Sequence, residues 1–213
     1  LPFYLVMIGP PGAGKGTQAK ELAGLLELAH VSTGDLFRNN IQAGSALGKR
    51  VEEILASGAL VPDAVTIELV RERLLAQDCK RGAILDGFPR TLPQAEALSV
   101  LLAEAGDKIN LAPYIKVSDQ VLVDRLTGRR TDRRTGKIYH LKYNPPPPGA
   151  DLEQRPDDAE HTVRRRIAEY YANTAPLLEY YRAAAVLQEF DGELAIADVL
   201  KLIVATVRER LAA

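Results

Sequence analysis

Apolar stretches of strand length alternate along this chain with segments of helical period. Residues 3–8, 29–32, 82–86, 111–117 and 186–190 read as strands, and the longer ones are apolar almost throughout, as strands buried on both faces are. Between them, helices are predicted over 15–26, 63–77, 92–105, 119–127, 157–173, 176–185 and 194–211. Pro62 before Asp63 and Ser118 before Asp119 suit helix starts, and Asp35 reads as a cap for a helix following Gly34. The alternation predicts an α/β fold, a parallel sheet flanked by helices, with its ligand beyond the carboxyl ends of the strands.

Two segments break the pattern. Residues 32–61 carry two short helices punctuated by Gly34, Gly44, Gly48 and Gly58. Residues 128–158 are rich in turns, basic near their start and proline-rich at 145–148. Neither has enough apolar residues for a core of its own, so both read as inserts that move over a ligand. The core then comprises residues 1–31, 62–127 and 159–213.

Composition narrows the function. The 213 residues are 46 % hydrophobic and 26 % charged, with 27 basic against 28 acidic residues and a net charge of -1. No overall excess points to nucleic acid or to a membrane surface, so anion binding must come from local clusters. Cys79 is the single cysteine, which excludes an intrachain disulfide and fits a reducing, cytoplasmic setting. Residues 1–8 are apolar enough for a short signal core but lack a basic leader and run straight into a glycine loop, so a buried strand is expected.

That loop, Gly9-Pro10-Pro11-Gly12-Ala13-Gly14-Lys15-Gly16-Thr17, lies between the first strand and the first helix. Glycines let successive N–H groups turn toward phosphate oxygens, the helix start adds its positive dipole end, and Lys15 supplies a mobile full charge. It departs from the general phosphate-loop pattern at Gly16, where serine or threonine is usual, with Thr17 one position later. Asp86 ends an apolar strand, where a parallel sheet presents a carboxylate to magnesium or its waters.

The loop resembles that of the nucleoside monophosphate kinases. So do Ser32-Thr33-Gly34-Asp35-Leu36-Phe37-Arg38, Leu85-Asp86-Gly87-Phe88-Pro89-Arg90-Thr91, Asp124-Arg125-Leu126-Thr127-Gly128-Arg129-Arg130 and Arg155-Pro156-Asp157-Asp158, in family order over nearly the whole chain. The resemblance, which is to the adenylate kinases in particular, implies reversible phosphoryl transfer between ATP and AMP giving ADP. Residues 32–61 would be the monophosphate-binding insert and 128–158 the lid. It implies that ATP meets Gly12, Ala13, Gly14, Lys15, Gly16, Thr17, Arg125 and Arg129, with Ile138, Tyr139 and Leu194 around its base. AMP would meet Thr33, Gly34, Arg38, Ala59, Leu60, Val61, Gly87, Arg90 and Gln94. Arg155 and Arg166 would bridge toward the transferring group, and Lys15, Asp86, Arg90, Arg125 and Arg129 would share the chemistry with them. Arginine suits this work because its planar fork stays charged and grips phosphate. Gln94 can donate and accept, as an adenine edge requires.

Arg164 and Arg165 read as solvated surface charges, the roles of Arg130, Arg133 and Arg134 stay open, and His30, His140 and His161 receive structural readings. Magnesium is expected to arrive with ATP, with Asp86 helping through water. Zinc is not expected, because the lid neighbourhoods that carry Cys-x2-Cys pairs in zinc-bearing relatives hold none here; Asp132, Thr135 and Asp151 are candidates for a hydrogen-bonded substitute. A monomer is expected. Two other readings remain: a GTP:AMP phosphotransferase, and a phosphate-loop hydrolase or switch.

Overall fold

The computed structural model describes residues 2–212. From the N-terminus, β1 (Phe3–Met7) leads through the glycine loop to α1 (Lys15–Leu26) and β2 (Ala29–Ser32). Helices α2 (Thr33–Gln42), α3 (Ala46–Ala56) and α4 (Asp63–Leu74) follow, then β3 (Gly82–Asp86), α5 (Leu92–Glu104), β4 (Ile109–Lys116) and α6 (Asp119–Thr127). Three short strands, β5 (Arg129–Asp132), β6 (Ile138–His140) and β7 (Leu152–Glu153), precede α7 (Glu160–Glu169), α8 (Leu177–Ala183), β8 (Leu187–Asp191) and α9 (Ile196–Ala212).

The main sheet runs β2-β3-β1-β4-β8 with every pair parallel. Side chains alternate across its strands, which divides the buried apolar residues between two cores. Phe3, Leu5 and Met7, with Ile84, Leu111 and Ile115, face Leu22 of α1, Leu122 and Leu126 of α6, and Ile203 of α9. Tyr4, Val6 and Ile8, with Ala83 and Leu85, face Val70 of α4, Leu98 of α5 and Leu177 of α8. β1 is central, its onward connection goes to the β2 side, and that of β4 goes to the β8 side. Sheets of this kind bind ligands at such a reversal. Met7, Ser32 and Asp86 are level in the register, so β1, β2 and β3 end together beside the glycine loop.

The first insert is held by serine caps and by borrowed apolar surface. Helix α2 starts at Thr33 and its cap is Ser32, whose Oγ accepts the Asp35 N–H; Ser45 caps α3 by accepting the Gly48 N–H at 3.0 Å. The expectation for Asp35 is thereby corrected. It lies in the first turn of α2, favourable to the helix dipole, and pairs with Arg38. Phe37, Val51 and Val61 are buried together, and Val65 and Leu69 of α4 complete the cluster. The insert therefore has a small core after all, one that α4 helps to build.

The second insert contains a separate antiparallel sheet, β6-β5-β7. Its strands of 4, 3 and 2 residues are too short to show a period, which is why the sequence reads as turns. Polar contacts organise it. Asp132 Oδ1 accepts the N–H groups of Arg134 and Thr135, both at 2.9 Å, and the Arg133 N–H donates to Asp151 O at 2.8 Å. The Arg133 guanidinium meets Glu153, Arg134 reaches Gly149 O, and Arg130 donates to Thr127 O at the end of α6. Arg133 and Arg134 hold the insert together, and Arg130 ties it to α6. Arg164 is exposed and pairs with Glu160 one helical turn away.

The predicted helix over 157–173 is divided. A 3-10 turn, Pro156–Asp158, precedes α7, and a π-helical turn, Tyr170–Thr174, follows it. The wider turn carries Thr174 to Arg90, whose carbonyl accepts the Thr174 hydroxyl at 2.8 Å.

Two substitutions should separate the sheets. Ile84, fully buried in β3, should cost roughly 2–5 kcal/mol of unfolding free energy when changed to alanine, measured by urea denaturation. Asp132→Ala should leave the urea midpoint close to wild type and accelerate amide exchange across 129–153 alone. Equal acceleration in β1 and β3 would show that the small sheet is not an independent unit.

Candidate active site

The glycine loop owes its shape to close packing. Gly12 has φ 86, and a Cβ there would lie 2.9 Å from Leu126 Cγ, so α6 closes directly on the loop. Gly14, at φ 97, stands at the start of α1 and supplies no side-chain cap; the first turn also carries no acidic residue. Its N–H groups and dipole thus form an anion-binding helix start. Lys15 Nζ donates to Gly9 O at 2.7 Å and to Pro10 O at 2.9 Å, folded back on its own loop. Burial pushes the Lys15 ammonium down to about 8. Asp86 opposes that shift, and the charges of Arg90, Arg166 and Arg129 add to it.

Asp86 faces this loop from the end of β3. A Cβ at Gly16 would lie 3.1 Å from Asp86 Oδ2, so the glycine that departs from the general pattern makes room for the carboxylate. Burial raises the Asp86 pKa, but His30 and the charges of Lys15 and Arg90 outweigh it and hold the carboxyl below its ordinary range. His30 Nε2 lies 3.6 Å from Asp86 Oδ2 and is buried without a hydrogen-bond partner. The sequence reading gave His30 a structural role; the register of β2 on β3 brings it into the site.

Around this centre the chain gathers arginines from distant segments. Arg129 grips Asp158 with two bonds, Nε to Oδ2 at 2.8 Å and Nη2 to Oδ1 at 2.6 Å. Arg166 meets Asp157 Oδ2 at 2.9 Å and Asp158 Oδ1 at 3.3 Å. Arg155 donates to Thr131 Oγ1 at 3.3 Å. Burial pushes Arg155 down to about 10, and the charges of Arg129 and Arg38 deepen the shift. Burial likewise takes Arg166 to about 10 against the pull of Asp157. Arg90 is lowered by burial too, with Asp86 opposing and Arg38 adding. Lys15, Arg90, Arg129, Arg155 and Arg166 thus gather in a poorly solvated space, with the more exposed Arg38 at its rim, an arrangement that favours a multiply charged anion.

Arg125 stands apart. Its Nη2 donates to Gly192 O at 2.9 Å, which ties α6 to the loop before α9 and sets it near the exposed Leu194. Ile138 is partly exposed and Tyr139 buried on β6. On the other side, Thr33 donates to Gly87 O at 2.8 Å, and the same carbonyl accepts Arg90 Nε at 2.8 Å. Gly34 lies beside the Arg38 guanidinium. Gly58, just before Ala59 and Leu60, abuts Arg166 and Thr162 of α7, and Val61 is buried in the small core. Gln94 is buried, with Oε1 accepting the Arg90 N–H and Nε2 donating to Asp63 Oδ1.

Besides His30, Asp157, Asp158, Asp63 and Thr174 join the site without being expected from the sequence. The aspartate pair carried a signal, two adjacent acids beside Arg155 in a segment of arginines. Asp63 and Thr174 carried none, since their partners lie 31 and 84 residues away.

A family model described as adenylate kinase matches residues 7–186. The adenylate kinase of Moorella thermoacetica is 49 % identical over 203 residues, covering 92 % of this chain and 94 % of that protein. That of Thermosipho melanesiensis is 47 % identical over 211 residues, covering 96 % and 99 %. That of Archaeoglobus fulgidus is 46 % identical over 212 residues, covering 96 % and 98 %. Matched along most of its length by the family model and by near-full-length relatives close to half identical, the chain belongs to the adenylate kinase family.

Proposed function

We propose that the protein transfers the terminal phosphoryl group of ATP to AMP and back, with two ADP as the products of the forward reaction. The observation that carries this is the convergence of Lys15, Arg90, Arg129, Arg155 and Arg166 on one poorly solvated space beside an uncapped helix start, with the more exposed Arg38 at its rim. Phosphoryl transfer asks little of a protein beyond alignment, charge neutralisation and exclusion of water. Lys15 and the N–H groups of residues 12–17 take the ATP phosphates, with Arg129. Arg38 and Arg90 hold the AMP phosphate in line, and Arg155 and Arg166 stand between the two. Arg125, expected with Arg129 on the ATP phosphates, instead donates to Gly192 O and joins Leu194, Ile138 and Tyr139 around the ATP base; Thr33, Gly34, Gly87, Gln94 and residues 59–61 enclose that of AMP. Residues 32–61 and 128–158 act as covers that exclude water. Family membership disfavours the readings as a GTP-dependent transferase and as a hydrolase or switch.

Asp86 fits a magnesium ion carried in by ATP. Its carboxyl is kept ionised beside Gly16 of the phosphate loop, and magnesium commonly takes one carboxylate together with phosphates and waters. Among the described residues no group of three or more His, Cys, Asp and Glu side chains could hold an ion unaided. When bound, the ion draws charge from the β and γ phosphates. Among the described residues no helix is long and apolar enough to cross a membrane, and a cytoplasmic setting suits a consumer of free nucleotides.

The direct test mixes protein, magnesium, ATP and AMP and follows ADP. ADP should form only when both nucleotides are present. Release from ATP alone at a comparable rate would support a hydrolase instead.

Lys15 adds a test by pH. With its ammonium lowered from 10.5 to about 8 in the free protein, the lysine is increasingly neutral above that pH, yet phosphate demands the charged form. ATP binding at about pH 8.5 should therefore take up a proton. Titration calorimetry in buffers of different ionisation enthalpy should detect the uptake, and Lys15→Met should abolish it. The same shift gives Lys15 a contribution to stability that grows between about 8 and 10.5, because at this residue the unfolded chain there binds more protons than the folded one.

Asp158→Asn should damage both stability and rate. Breaking a buried ion pair costs roughly 3–5 kcal/mol, and misplacing Arg129 and Arg166 should lower kcat on the order of 100-fold. A variant with normal kcat would remove Asp158 from the site's support.

A further inference from the structure

The amide of Gln94 is fixed in one of its two orientations from both ends. Its Oε1 accepts the Arg90 backbone N–H at 2.7 Å, and its Nε2 donates to Asp63 Oδ1 at 2.7 Å. Neither partner is ambiguous, since a backbone N–H only donates and a carboxylate only accepts. Turning the amide over would set N–H against N–H at Arg90 and oxygen against oxygen at Asp63. At 2 % exposure Gln94 has no bulk water to relieve that conflict. The partners are themselves held. Arg90 O accepts the Thr174 hydroxyl and Arg90 Nε donates to Gly87 O, while Asp63 opens α4 directly after Pro62. Residues 59–61, proposed to contact the AMP base, immediately precede that proline.

We infer that Asp63 determines base specificity: by locking Gln94 it lets the amide accept a 6-aminopurine and reject a 6-oxopurine. This rests on the proposed placement of the AMP base beside Gln94. After its two internal bonds the amide retains one oxygen lone pair and one N–H hydrogen. Adenine presents a donor at N6 and an acceptor at N1, which match an oxygen and an N–H in that order. Hypoxanthine presents the reverse, an acceptor at O6 and a donor at N1. A freely turning amide would suit either base by turning over; a locked one meets hypoxanthine with oxygen against oxygen and N–H against N–H. Sites that leave buried polar groups mismatched in this way discriminate far more strongly than sites that sense size alone.

Asp63 is thus a positioning residue, and its signature is a substrate ratio. We would measure kcat/KM for AMP and for inosine monophosphate at saturating ATP in the wild type, Asp63→Asn, Asp63→Glu and Gln94→Ala. A ratio taken within one preparation is insensitive to any unfolded fraction. Asparagine has nearly the shape of aspartate but can donate as well as accept. It removes the penalty at one end of the lock while that at Arg90 remains, so the AMP preference should narrow about tenfold with the KM for ATP unchanged. Asp63→Glu keeps an acceptor-only group and should retain a ratio near that of the wild type, and Gln94→Ala should narrow it. If Gln94→Ala narrows the ratio and Asp63→Asn does not, the lock is overturned and the base placement stands. Equal narrowing in Asp63→Glu and Asp63→Asn would make shape rather than hydrogen-bond polarity the cause, which also overturns the lock. An unchanged ratio in Gln94→Ala refutes the base placement, and the inference with it.

Discussion

The structure depends on a carboxylate that has no contact with water. Asp158 is fully buried, and an ionised group in that position is tolerable only with partners that satisfy both of its oxygens. Arg129 supplies two bonds and Arg166 a third. The need runs both ways. Arg129, Arg155 and Arg166 could not sit so close in a poorly solvated space without the negative charges of Asp157 and Asp158 among them. The pairing therefore solves two problems at once, satisfying both oxygens of a buried carboxylate and holding mutually repelling guanidiniums in a fixed cluster. What remains after the two aspartates are counted is an excess of positive charge, which nucleotide phosphates complete.

The parallel sheet determines where that excess can be used. β1, β2 and β3 end in register at Met7, Ser32 and Asp86, so the phosphate loop, the start of α2 and the Gly87–Arg90 turn all leave from one edge. Gly87 O then joins two of them by accepting both Thr33 and Arg90, and Thr174 brings in the segment before α8. The Arg90 turn is pinned by backbone and side-chain bonds from three separate elements. A guanidinium on so constrained a turn loses little freedom on meeting an anion, which is the benefit of preorganisation.

The sequence made legible whatever depends on local pattern. Buried strands announced themselves as apolar runs, and the phosphate loop, Asp86 and the candidate arginines stood in recognisable local contexts. It failed where contacts span the chain or elements are very short. The strands of the second insert have too few residues for a period, and their order comes from Asp132 and Arg133 reaching across turns. Local context favours Asp35 as a cap because it follows Gly34, whereas Ser32 precedes it at the end of β2 and claims the position. Gln94 was legible as a group able to read a base. Its union with Asp63, and hence its orientation, was not, because nothing local links a residue of α5 to the first residue of α4.

The two inserts are built on different physics, and that bears on how each can move. The first shares its apolar cluster with α4, so displacing α2 and α3 means sliding or separating Phe37, Val51 and Val61 from Val65 and Leu69. Such a motion is opposed by a hydrophobic cost that grows with the area exposed. The second has its cohesion inside, in the Asp132 turn and the bonds of Arg133 and Arg134. Its links to the core are polar as well, since His140 and Tyr143 bond Asp124 of α6 and Arg130 bonds Thr127 O, so a tilt would break those bonds without exposing the main cores. Its two ends, however, meet at the Arg129–Asp158 pair, since Arg129 opens β5 and Asp158 closes the turn before α7. A tilt of the small sheet must pivot above this buried pair or break it, and breaking it would strand a charge in the interior. The pivot is therefore the stronger alternative, and it leaves Arg129 stationary beside the phosphate loop while Ile138 and Tyr139 swing. In the function proposed above, the residue that neutralises phosphate then stays with the core, and the residues that cover the base travel with the insert.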